Sequence, residues 1–171
     1  LPEIQFEYAI LDFSNLHISK KVKNLIKNSE YEFCINSNFQ SVLNEIKKYH
    51  KDSWIEENYE KLLINLNNLK KNNSNFKLVS IELYDKNNEK LVSGEIGYMI
   101  SKTYTSLTGF SSKSKEYNNW GKLQMVLLAL YLEENRFDFW NLGHPYMQYK
   151  FDLGAKLYSR DEFLKRWLNS I

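Results

Sequence analysis

Near Asn75 the apolar residues of this 171-residue chain change their spacing, and that change restricts the fold more than any other feature. Upstream they recur every three to four positions, the period of a helix with one buried face. Downstream they alternate, as in strands that bury one side of a sheet. A chain of this length is expected to make one domain, large enough to bury about two-thirds of its unfolded surface.

Residues 19–28 (SKKVKNLIKN) are predicted to form a helix, with Ser19 as N-cap and Val22, Leu25 and Ile26 as its apolar stripe. Lys20, Lys21, Lys23 and Lys27 give it four cations and no anion, either a solvated face or a basic contact surface. Residues 32–35 read as a short strand. Asn38 can cap a helix that carries Phe39, Val42, Leu43 and Ile46 on one side and ends before His50. A third helix opens near Trp54, carries Tyr59, Leu62, Leu63, Leu66 and Leu69, and stops at an Asn-rich loop.

After Asn75, residues 77–84 and 90–100 read as strands around a turn at 85–89, and residues 104–110 as a third strand. Gly94 and Gly97 weaken a strand interior, which points to a bulge or to close approach of a ligand. A long helix starts at Trp120 with Leu123, Val126, Leu127, Leu130 and Tyr131, followed by a short strand at 137–140. Pro145 can open a brief helix through Asp152; a strand at 155–158 and a helix at 160–168 complete the chain. This order suits an α/β (α+β) fold with a mixed, mostly antiparallel sheet flanked by helices.

Charge and composition exclude more than they assign. The net charge of +2 does not by itself announce a nucleic-acid partner. Twenty lysines and twenty asparagines, partly in runs such as NNLKKNNSN, are explained as well by coding bias as by function. A single cysteine, Cys34, permits no internal disulfide and no cysteine zinc cluster; its neighbours suggest a strand-end core position. His17, His50 and His144 lack metal-ligand spacing. No apolar run approaches 18 residues, so no membrane partner is expected. No signal peptide is visible, and a cytoplasmic location is the expectation, with an organelle left open.

No serine elbow is present, and the loop before Gly121 has a single glycine, short of what a coenzyme A or Walker-type phosphate loop uses. The segment WNLGHPYMQYK (140–150) is richer. It places Asn141, His144 and Gln148 just after a buried strand, where open sheets expose ligand sites. The neighbouring strands offer Glu95 as a carboxylate, with Tyr98, Tyr104 and Thr105 as pocket walls or proton partners. An equally simple reading makes Asn141 a turn cap and the tyrosines core.

The stretches LHISKKVKNLI (16–26), FCINSNFQSVLNEI (33–46), GEIGYMISKTYTSLTGF (94–110) and FDFWNLGHPYMQYKFDLGAKLYSRDEFL (137–164) resemble the leucyl/phenylalanyl-tRNA–protein transferase family, most closely its eukaryotic branch. The Trp54-Ile55 pair adds to the likeness. The resemblance implies an acetyltransferase-like fold that uses no acetyl-coenzyme A and no other cofactor, aminoacyl-tRNA being the donor substrate. It implies transfer of leucine or phenylalanine to the N-terminal α-amine of an acceptor protein, marking it for degradation. The sequence leaves the oligomeric state open, with a monomer the favoured expectation. It divides the chain into a residual N-terminal segment (1–15) and a transferase domain (16–171), helical over 16–75 and sheet-rich over 76–171. Lys20, Lys21, Lys23 and Lys27 become tRNA contacts. Met99, Tyr104, Leu107 and Phe139 set the width of the aminoacyl pocket, with Trp54, Tyr98, Thr105 and Gln148 also binding substrate. Asn141 matches the position of a bacterial aspartate, with Gly143 or His144 near that of a glutamine, depending on a one-residue gap, and Asn141, His144 and Glu95 are the expected catalytic group. An asparagine cannot serve as a carboxylate base, which leaves two alternatives open: a weakened member that binds aminoacyl-tRNA or a peptide, and a coenzyme A-dependent N-acetyltransferase.

Overall fold

The computed structural model describes residues 4–50, 55–69 and 75–171. In chain order the elements are β1 (Glu7–Leu11), α1 (Lys20–Asn28), β2 (Tyr31–Ile35), α2 (Phe39–Tyr49), α3 (Glu57–Asn68), β3 (Phe76–Asp85), β4 (Lys90–Ile100), β5 (Thr103–Ser111), α4 (Trp120–Glu134), β6 (Phe139–Asn141), α5 (Gln148–Asp152), β7 (Lys156–Ser159) and α6 (Arg160–Leu168). The strands form one seven-stranded sheet among the described residues, in the order β2-β3-β4-β5-β6-β1-β7. All neighbours are antiparallel except β5 and β6.

The local signals act as expected at several ends. The Ser19 side chain accepts from the Val22 amide and Asn38 from the Ser41 amide, each satisfying a donor that an unfinished helix leaves orphaned. Such a cap contributes about 1 kcal/mol. At α6, Ser159 and Glu162 close a reciprocal capping box.

Alternation sends the two faces of the sheet to separate cores. Ala9, Leu11, Val79, Ile81, Tyr104 and Trp140 meet α1 and α4 on the first face. Leu78, Ile96 and Phe110 meet α2 and α3 on the second. There Ile10 and Phe139 also pack against Phe163 of α6.

Three features depart from the periodicity. Residues 7–11, to which it assigns no element, form β1, with Ala9, Ile10 and Leu11 fully buried between β6 and β7. The predicted helix from Pro145 begins only at Gln148, because Gly143 bends the chain at φ +79° and Met147 is still extended. In α3 the stripe is only partly used: Leu63 is buried, while Leu62 and Leu69 are exposed, since this helix has the sheet on one side only.

Candidate active site

The site begins where two strands part. The parallel pair registers Thr103 with Phe139, Tyr104 with Trp140 and Thr105 with Asn141, and then ends, while β5 runs on to Ser111. The cause lies in the backbone. Asn141 Oδ1 accepts the Gly143 amide at 2.9 Å and turns the chain. The Leu142 amide then donates to Ala9 and the Ala9 amide to Gly143, so the chain follows β1 and leaves β5. A gap opens beyond the carboxyl end of β6, the place where open sheets of this kind hold ligands.

Glu95 stands on the first face beside this gap. It is 7% exposed, and its carboxylate accepts from the Tyr104 hydroxyl at 2.8 Å, the Ser106 hydroxyl at 2.7 Å and Gln124 Nε2 at 3.4 Å. Trp140 Nε1 donates to Ser106 Oγ at 2.8 Å, tying the network to the end of β6. Burial raises the Glu95 carboxyl above its ordinary range; the Ser106, Tyr104 and Gln124 hydrogen bonds and the Lys150 charge oppose that rise. The Tyr104 phenol is held well above its usual value, first by burial and then by the Glu95 charge. Gly97 makes this arrangement possible: a Cβ there would lie 2.2 Å from the Tyr104 hydroxyl. The close approach expected at this glycine is therefore made by the protein's own tyrosine. The expected bulge is here as well, between Ile96 and Gly97, and leaves Leu107 without a register partner and exposed.

The turn after β6 supplies a second buried group. Lys150 is 5% exposed and its Nζ donates to the His144 carbonyl at 2.6 Å. Burial lowers its pKa, against the opposing effect of the Glu95 carboxylate. Tyr149 beside it is raised by burial, then by Glu95 and by Tyr49 at the end of α2. From that same end His50 Nε2 donates to the Gly109 carbonyl of β5 at 3.0 Å. Groups from both faces of the sheet thus meet at the gap.

The sequence-predicted residues distribute unevenly around it. Glu95, Tyr104 and Met99 share the first face, and Asn141 sits at the strand end. Tyr98 lies on the second face, stacked on Phe76, and Phe139 packs there against α6; alternation puts Thr105 on that side too. His144 is exposed beside Tyr146, and Gln148 donates to Asp152 of its own helix. Trp54 lies outside the described residues. Lys20, Lys21, Lys23 and Lys27 are all exposed, and none forms an ion pair among the described residues. Ser106, Gln124, Tyr149 and Lys150 were not singled out by the sequence; the YKFDLGAK stretch held two of them without marking that Lys150 is buried.

Other chemistry is thinner. No group of three or more His, Cys, Asp or Glu side chains is placed to hold a metal among the described residues. Cys34 is half-buried on an edge strand, its thiol pushed up by burial and by Glu32 and Glu82, which disfavours a nucleophilic thiolate. An open polar pocket of about 690 Å³ lies at the loop before α4, bordered by Lys113, Lys115 and Lys122. No helix among the described residues is long and apolar enough to cross a membrane.

Solved structures place the fold first. The C-terminal domain of an Agrobacterium fabrum protein described as a lysylphosphatidylglycerol synthetase superposes with a TM-score of 0.58 at 13% identity, covering 90% of this chain and 58% of that one. L-PGS from Bacillus licheniformis gives 0.56 at 13% identity, with the same coverage. A glucosamine N-acetyltransferase region of a fungal multi-domain β-N-acetylglucosaminidase gives 0.61 at 9% identity, covering 90% of this chain and 20% of that one. The chain thus spans under two-thirds of each of these proteins, and at such identities the likeness shows the fold alone: a mixed α/β structure related to acetyltransferase-type folds. No curated protein matches the sequence. The family is shown separately: residues 10–168 match the profile of the leucyl/phenylalanyl-tRNA protein transferases, and the chain belongs to that family.

Proposed function

We propose that this protein transfers leucine or phenylalanine from aminoacyl-tRNA to the N-terminal α-amine of an acceptor protein, in the manner of the eukaryotic branch of its family. The observation that carries the reading is the buried Glu95 carboxylate, with three side-chain donors, at the gap between β5 and β6 of a chain that belongs to this family. The amine nitrogen bonds to the ester carbonyl carbon, the bond from that carbon to the ribose oxygen breaks, and the proton lost by nitrogen passes to that oxygen. The ester is already activated, so orientation of the two reactants supplies much of the acceleration. Glu95 orients the amine, accepts the proton that nitrogen loses and passes it on to the ribose oxygen. Lys20, Lys21, Lys23 and Lys27 form an exposed cationic helix suited to RNA phosphates.

Asn141 supports a second reading, in which the protein binds charged tRNA or a peptide with little transfer. Its side chain caps the turn at Gly143 and offers no carboxylate. Labelled Leu-, Phe-, Met- and Arg-tRNA, each presented with peptides beginning with Arg, Lys, Asp or Glu, separate the two. Label on an Arg or Lys peptide from Leu- or Phe-tRNA is the expected result. Charged-tRNA binding with no modified peptide selects the second reading.

A further inference from the structure

Lys150 is the least expected side chain of the site. An ammonium group has three donors, and among the described residues its Nζ has one partner, the His144 carbonyl. A lysine 95% buried with unused donors is costly unless something else takes them. The opposite charge that acts on it, Glu95, is no such partner. Glu95 is close enough to bias the charge of Lys150, and Lys150 that of Glu95, yet no ion pair joins them. The Glu95 carboxylate is instead satisfied by Tyr104, Ser106 and Gln124.

The backbone explains how this separation is kept. Lys150 projects from α5, which lies against the first face, where Leu153 and Ala155 join the core shared with α1 and α4. Its Nζ is fixed to the turn that carries the chain away from β5. Gly143 at the bend leaves open space toward it, since a Cβ there would come no nearer than 4.0 Å. A buried anion and a buried cation are thus held apart on one face, beside the gap in the sheet.

We propose that Lys150 is a catalytic residue that donates to the carbonyl oxygen of the donor ester, while Glu95 faces the incoming amine. This rests on the transferase reading above. A group with an amine on one side and a developing oxyanion on the other matches two opposite charges that are not closed on each other. As nitrogen bonds to the carbonyl carbon, the electron pair of the C=O bond moves onto oxygen, beside the ammonium. When the bond to the ribose oxygen breaks, the pair returns. Lys150 keeps its proton throughout and makes no covalent bond. A preorganised donor at this point acts on the transition state more than on the bound substrate.

The test compares Lys150→Met and Lys150→Arg with the unaltered protein. Transfer of labelled phenylalanine is measured at saturating peptide, together with binding of a non-reactive Phe-tRNA whose ester is replaced by an amide, and with the melting temperature. The expected result is a fall in kcat on the order of 100-fold for Lys150→Met, with amide-linked tRNA binding within about twofold. Lys150→Arg is expected to recover about tenfold of that loss through its retained charge. A kcat for Lys150→Met within about threefold of the unaltered protein overturns the inference and leaves the transferase reading standing. A loss confined to weaker binding or a lower melting temperature also overturns it, making Lys150 an anchor for the 143–150 turn. Absence of transfer by the unaltered protein overturns the transferase reading, and the inference with it.

Discussion

Glu82 and Glu95 stand on adjacent strands, both buried, and are held in contrasting ways. Glu82 accepts from the backbone amides of Ser37 and Asn38, at the entry to α2, and from the Ser80 hydroxyl. Its partners are fixed by the fold, so it joins β3 to a helix start that favours negative charge. Glu95 accepts only from side chains, and it lies where β5 and β6 have separated. Burial alone does not separate a structural carboxylate from a functional one. What separates them is whether the donors are backbone groups that need the charge, or side chains arranged around a place where the sheet is open.

Exchanging the two acids should therefore break different properties. The largest effect is expected at Glu95→Gln, with transfer falling at least about 100-fold, as for loss of a group that handles a proton, while tRNA binding is retained. The same variant has a pH signature. Burial holds the Glu95 carboxyl above its ordinary 4.5, so folding favours its protonated form more than the unfolded chain does. The stability this supplies is complete below the unfolded value and is lost as pH rises through the folded one. Urea unfolding should thus show the unaltered protein gaining on Glu95→Gln below about pH 4 and losing that gain as pH rises.

Glu82→Ala should do the converse. Two part-buried amides and the buried Ser80 hydroxyl lose their acceptor, for about 2 kcal/mol, or roughly 30-fold in the folding equilibrium, read by urea unfolding. The kcat of whatever remains folded should be unchanged; an equal fall in kcat would end the distinction between the two acids. On the exposed side, Lys20→Glu with Lys23→Glu should weaken charged-tRNA binding about tenfold and lower the slope of log affinity against log salt by roughly 1.5. Unchanged binding and slope would place the RNA on another surface. The smallest effect is expected at Asn141→Asp. An aspartate keeps the acceptor for Gly143 and restores the bacterial carboxylate, so transfer should be equal or a few-fold higher. A large loss would mean that the amide itself is required.

The same contrast runs through what could be read from the chain. Helix caps, the period change near Asn75 and the consecutive strands β3, β4 and β5 were legible, because they rest on neighbours in sequence. Glu95, Tyr104 and Asn141 could be singled out, and Gly97 announced a close contact without naming its partner. Tyr98 and Tyr104, six residues apart, looked equivalent there. Tyr104 lies opposite Met99, the residue after Tyr98, so alternation puts the two tyrosines on opposite faces. Lys150 gave no signal, because a lysine in a polar stretch is ordinarily solvated and only packing shows otherwise.

By itself, then, the sequence determined most of the elements, many of their ends and the family. Each follows from local spacing, capping chemistry or collinear likeness. The tertiary structure decided the site. It slid β1, from a stretch with no periodic signal, between β6 and β7, and the hydrogen bonds of Ala9 drew the chain after Asn141 away from β5. That separation depends on contacts between residues more than 130 positions apart, which no local pattern encodes. It opens the gap beside which Glu95 and Lys150 are buried without pairing.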